Sequence, residues 1–175
     1  MTNVDLTGGA PDLIEPVIGY RLWRLIDHTL TSPFANTPWH RPHHRARCDK
    51  GRHEAGEVTG KTCSCGIHAY YDPCSRTAWA MTRSLLGGVV VAWGRIEAHA
   101  TGMRVEHARI VALELPFSRG RKRRAILAAA ERLDIPAVTH RTLGALAREH
   151  GAPLQRALRP RHTRGVAVNA WSHQS

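Results

Sequence analysis

From Val17 to Leu25 large apolar and polar side chains alternate, the period of a strand with one buried face. A second short strand is expected near Asp27 to Leu30. Pro33, Pro38 and Pro42 break the pattern between residues 31 and 44, which predicts irregular loop there. The clearest strand signal in the chain is Val89 to His99, opened by Gly87-Gly88. Thr101-Gly102 supplies a turn, and Met103 to Leu115 returns as its hairpin partner. On the returning strand Val105, His107, Arg109 and Val111 are expected on one face, with Glu106, Ala108, Ile110 and Ala112 on the other.

After Pro116 the period changes to that of helices. Arg121 to Leu133 is Ala-rich, with Ile126, Leu127, Ala130 and Leu133 spaced for one face. Thr142 can cap a second helix, Leu143 to His150, that stops at Gly151. A short third helix over 153–158 would end at Pro160. The fold class expected is α+β: a small antiparallel β domain with an inserted zinc-binding loop, followed by a basic helical C-terminal extension. The divisions are a leader at 1–16, the β domain at 17–115, the basic helical segment at 116–160 and a tail at 161–175.

Composition adds a compartment and a chemistry. With 175 residues, 42% hydrophobic and 22% charged, the chain can bury a core of its own. No stretch nears the roughly 18 apolar residues of a bilayer span, and the start lacks a signal-peptide pattern. A cytoplasmic location and no membrane partner are therefore expected. All four cysteines, Cys48, Cys63, Cys65 and Cys74, fall within 27 residues. In a reducing compartment such clustering points to metal ligation before disulfides.

Cys63-Ser64-Cys65 places two thiolates at i and i+2, on one side of extended backbone, where both can reach one ion. Cys48 returns a third across a loop containing Gly51, Gly56 and Gly60. Tetrahedral zinc then needs a fourth ligand. His53 comes first, as a compact Cys48-x₄-His53 knuckle. Cys74 comes second, because a helix starting near Gly66 would carry it away, and His68 third. The competing reading is three reduced core cysteines. Glu54 and Glu57 lie near the cluster, but neither H-E-x-x-H nor the deaminase H-x-E with P-C-x-x-C is present. The zinc is therefore read as structural, with no catalytic residues, no small-molecule substrate and no enzymatic activity expected; a metal-dependent hydrolase is the weakest of the readings.

The formal net charge is +11, and it is concentrated. Residues 1–118 hold 13 Lys or Arg against 11 Asp or Glu, whereas residues 119–164 hold 12 against 3. That asymmetry points to an anionic partner, nucleic acid first. Candidate phosphate contacts are Arg119, Arg121, Lys122, Arg123, Arg124, Arg141, Arg156 and Arg159. Four successive cations at a helix start oppose the helix dipole, which suggests another use for them. A helix-turn-helix template can be laid over Ala147, Gly151, Gln155, Arg156 and Arg159. A second basic patch joins His40, His43 and His44 to Arg41, Arg45 and Arg47. Trp23, Trp39, Tyr70, Tyr71 and Trp79 are candidates for base stacking, with Trp23 and Trp93 read as core. The expected function is a non-enzymatic, zinc-stabilised nucleic-acid-binding or transcription-associated protein. The alternative is an adaptor whose β domain docks a protein partner while the basic tail stays solvated.

Gly19-Tyr20-Arg21-x-Trp23, the isolated Trp39, Cys48, His53, Cys63-Ser64-Cys65-Gly66-Ile67-His68-Ala69 and Ala92-Trp93-Gly94-Arg95 together resemble a family of small proteins from actinobacteria and their phages. Its pattern is C…H…C-x-C-G-I-x-A followed by a strand containing W-G. The resemblance covers about residues 17–115, implies a ligand role for His53, and carries no activity with it.

Overall fold

The computed structural model describes residues 12–48, 50–51, 63, 65–73, 85–117 and 119–160. Three long strands form the frame: β1 (Asp12–Ile26), β6 (Leu85–Ala98) and β7 (Gly102–Leu115). Between β1 and β6 come β2 (Thr29–Thr31), β3 (Pro38–Trp39), β4 (His43–Arg45) and β5 (Ile67–Tyr70). After β7 follow α1 (Arg121–Arg132), β8 (Ala137–Thr139), α2 (His140–His150), β9 (Ala152–Pro153) and a 3₁₀ turn, Arg156–Leu158. The protein is thus a mostly antiparallel sheet with few helices.

β6 lies in the middle, paired antiparallel with β1 on one side and β7 on the other. The outer edge of β1 carries β9, β5 and β2 in turn; that of β7 carries β5, β4 and β8. Because Tyr70 of β5 pairs with both Tyr20 and Gly102, strands β1, β6, β7 and β5 close into a circuit. The inner face of that circuit is the main core, built on Trp23, Leu30, Trp39, Val90, Met103 and Ile110, with Ile126, Ala129, Ala130 and Leu133 of α1 packed against it. The outer face packs Ile18, Tyr20, Val89 and Val91 under Leu143 and Ala147 of α2. Gly19 faces inward, where a Cβ would come within 2.8 Å of the Cβ of Ala69 and 2.7 Å of the Cε of Met103; only glycine lets β5 come so close.

Several expectations change. Asp27 and His28, at φ 45° and 63°, form the two-residue turn between β1 and β2, so the second strand starts at Thr29. The proline-rich stretch is not wholly irregular: Pro38–Trp39 pairs with β2 and His43–Arg45 with β7. The expected helix near Gly66 is the strand β5, whose Ile67 and Ala69 are buried by pairing with β7. On α1 the buried positions are Ile126, Ala129, Ala130 and Leu133, and Leu127 is exposed. The two faces expected on β7 are also exchanged part-way. Val105 belongs to the inner core with Ala108 and Ile110, whereas Val111 joins the outer cluster. The register with β6 shifts at Trp93/Ile96 and again at Val89/Val90, and each bulge reverses the alternation. The segment 116–160 lies on the sheet itself, through β8 against β7, β9 against β1 and both helices.

Candidate metal centre and basic surface

β4 and β5 lie end to end along the same edge of β7. Arg45 pairs with His107, the Ala46 amide donates to the Glu106 carbonyl at 2.7 Å, and Ile67 re-enters opposite Val105. The line of pairing along β7 stops after Ala46 and resumes at Ile67, with Cys48 just past the first point and Cys63 and Cys65 just before the second. This is why cysteines distant in sequence meet.

The Sγ atoms of Cys48, Cys63 and Cys65 all lie within 4.8 Å of one another, and those of Cys48 and Cys63 are 3.8 Å apart. A disulfide needs about 2.05 Å, and none of the three cysteines is in one. Four sulfurs at ~2.3 Å from a tetrahedral ion stand about 3.8 Å from each other. The Cys48–Cys63 separation therefore matches one edge of such a site, and Cys65 lies close enough to supply a third corner. The Cys65 thiol is pushed up to about 12, chiefly by burial and then by its hydrogen bond and charge interaction with Cys63 and by Cys48. A bound cation favours the thiolate form that ligates metal. The group could hold a metal ion.

Arg104 organises the return of the loop. Its side chain is 7% exposed, and Nη1 donates to the carbonyls of Cys63 and Cys65, the latter at 3.2 Å. Nη2 meets the Glu97 carboxylate at 2.6 Å and Nε donates to His99 Nε2 at 3.2 Å. One buried guanidinium thus ties two cysteine backbones to the β6–β7 hairpin. Sequence reasoning missed it, although an arginine between Met103 and Val105 on a core strand was a signal.

Among the described residues the sulfur group holds Cys48, Cys63 and Cys65; His68, on β5 opposite Arg104, is not in it. His53 and Cys74, the other candidates for a fourth ligand, lie outside the described residues, as do Glu54, Glu57 and Trp79.

The basic candidates divide into two sets. Arg119, Arg121, Arg124, Arg141 and Arg156 are exposed. Lys122 instead donates to the Leu85 carbonyl at 2.6 Å, Arg123 to that of Pro116 at 3.1 Å, and Arg159 to that of Leu154 at 2.7 Å while lying 4.3 Å from the Tyr71 ring centroid. Burial lowers the Lys122 ammonium below its ordinary range, against a raising effect from Glu114. Thr139, the residue before α2, pairs with Leu115, so α1 and α2 start at the same end of the sheet. That end gathers Arg119, Arg121, Arg124 and Arg141. The cysteine group lies by Arg104, up to about 35 Å away along β7 at ~3.3 Å per residue.

The helix-turn-helix template does not hold. Gly151 is extended at φ 169°, residues 152–153 form β9 and residues 156–158 a 3₁₀ turn, so the recognition helix expected over 153–158 is not formed. Gly151 serves close approach instead, since a Cβ there would stand 2.5 Å from the Pro16 carbonyl oxygen. Of the aromatic candidates, Trp23 and Trp39 are core, in edge contact at 5.6 Å, and Tyr71 is buried with its hydroxyl donating to the His99 carbonyl at 2.9 Å. Trp93, expected in the core, is only half-buried.

No helix among the described residues is long and apolar enough to cross a membrane. Comparison with protein-family models, with curated proteins and with solved structures gives no match.

Proposed function

We propose that this protein is a non-enzymatic nucleic-acid-binding module whose fold is clasped by one zinc ion held by Cys48, Cys63, Cys65 and His53. The observation that carries the metal part is the 3.8 Å separation of the Cys48 and Cys63 sulfurs, the edge of a zinc–thiolate tetrahedron. Zinc at this point closes the base of the loop between β4 and β5, so its role is to hold the edge of β7 together. A cytoplasmic setting, where thiols stay reduced, suits the site. Binding to nucleic acid is supported by the concentration of charge in 119–164 and by the exposed arginines at the α1 and α2 starts. These lie far enough from the cysteines that the metal has no part in phosphate contact.

The test is a shift assay with DNA and RNA across a salt series, on wild type and on Arg119→Ala/Arg121→Ala/Arg124→Ala. Affinity that falls steeply with salt in the wild type and is weaker in the variant supports the reading. Absence of binding at low salt, with a defined protein complex recovered instead, would replace it by the adaptor reading.

A further inference from the structure

β-sheet pairing sets six side chains side by side on the outer face of the sheet, from the edge of the part that α2 covers outward. Val91, Arg109 and His43 are register partners, and so are Trp93, His107 and Arg45, two residues further along each strand. Val91 lies under α2 with Leu143 and Ala147. In the next rank Trp93 is half-buried against the edge of that same cluster, while Arg45 beside it, like His43 and Arg109 of the first rank, is exposed.

The three rings there form one unit. The Trp93 and His107 planes are within 7° of parallel at 5.5 Å, and His43 lies 5.1 Å from Trp93 at 23°. His43 Nε2 is 3.3 Å from His107 Nδ1, so one imidazole donates to the other. The second nitrogen of His107 meets the Glu106 carboxylate at 3.4 Å, and Arg45 holds the same carboxylate at 2.9 Å. The rings are thereby fixed in orientation before any ligand arrives. Burial pushes the His107 imidazole below its ordinary range, with Glu106 opposing and Arg45 and His43 adding to the effect.

We infer that this face is a stacking platform for single-stranded nucleic acid, with a base against the Trp93–His43–His107 cluster and the backbone phosphates at Arg109 and Arg45. The inference rests on the nucleic-acid reading above and assigns it a second surface and a strand preference. Three arguments support it. A pre-set aromatic surface stacks on any base at little ordering cost. The flanking exposed charges are arginines, complementary to phosphate. A duplex hides its base faces, so such a platform selects unpaired strands.

The experiment uses the full-length protein with oligothymidylate and oligouridylate of about 12 nucleotides, and a duplex of matching length. Tryptophan fluorescence and equilibrium binding are read on wild type, Trp93→Leu, Arg109→Glu and Arg119→Ala/Arg121→Ala/Arg124→Ala. Because Trp93 also touches the α2 cluster, the solvent-facing Arg109→Glu keeps the test valid if Trp93→Leu misfolds. Expected are single-strand binding with quenched fluorescence, and a loss of about tenfold or more in both platform variants with duplex binding kept. Quenching should vanish with Trp93→Leu. Wild-type single-strand affinity in both platform variants, while the triple variant loses binding, overturns the platform and leaves the basic end standing. No binding of any nucleic acid by the wild type overturns both.

Discussion

Replacing Arg104 by Met keeps much of the bulk of the side chain and removes the guanidinium that joins the cysteine loop to the hairpin. Four acceptors lose a donor: the Cys63 and Cys65 carbonyls, the Glu97 carboxylate and His99 Nε2. A hydrogen bond to a charged group contributes about 1.5–3 kcal/mol net, and breaking a buried ion pair outright costs about 3–5 kcal/mol. Arg104 is almost fully buried, but Glu97 is 25% exposed and regains water in the variant, which lowers the penalty. A loss of about 2–3 kcal/mol is expected. For a domain of this size that lowers Tm by roughly 4–12 °C, readable by calorimetry with and without chelator. With Cys63 and Cys65 holding zinc as proposed, Arg104 fixes the backbones of two ligands, and zinc affinity measured against a chromophoric chelator should fall about tenfold or more in the variant, as for other outer partners of metal ligands. The stability loss should persist in chelator, since the hydrogen bonds do not need the ion. A variant with unchanged Tm in chelator and zinc affinity within twofold of wild type would refute the reasoning.

Other consequences are independent of that residue. Gly19→Ala forces a Cβ against Ala69 and Met103 and should cost about 1–3 kcal/mol in denaturant unfolding; a change under about 0.5 kcal/mol would mean β5 yields freely. His44, His99 and His107 all have pKa values lowered by burial, so the unfolded chain takes up protons before the folded one. Stability should then fall as pH drops below about 6.5, and a flat Tm from pH 7.5 to 5.5 would contradict this. Burial alone would raise the Glu106 carboxyl, but the Arg45 hydrogen bond and the Arg95 amide hold it low; its contribution is present above the ordinary carboxylate range and lost only as pH falls through its depressed value. Removing Arg119, Arg121 and Arg124 should reduce the slope of log K against log salt by about two to three, and an unchanged slope would place the phosphates elsewhere.

The long strands were legible because alternation over nine or more residues, with glycine turns between, has one physical solution. The helices were legible for the same reason at a different period. Closure of the sheet was not, because β5 is four residues long and its identity depends on two partners remote in sequence. The bulges were not, and they shape the proposed platform. Gly94 sits at φ 74°, where a Cβ would press on Glu106 and His107 at 3.1 Å, and the register shift beside it is what leaves Trp93 and His107 together on the outer face. A tryptophan in a Val-rich strand reads as core until that register is known. The cysteine group was legible from C-x-C and the glycine-rich loop, since ligand chemistry constrains spacing. The part played by Arg104 depends on which face of β7 it occupies, which the same bulges set.

The most direct test of the account is the zinc content of the purified protein by elemental analysis, on wild type and on Cys63→Ser/Cys65→Ser. The account predicts about one zinc per wild-type chain, none in the variant, and a Tm lowered in the variant and by chelation of the wild type. A wild-type chain that carries no metal and unfolds at the same temperature with or without added zinc would contradict it.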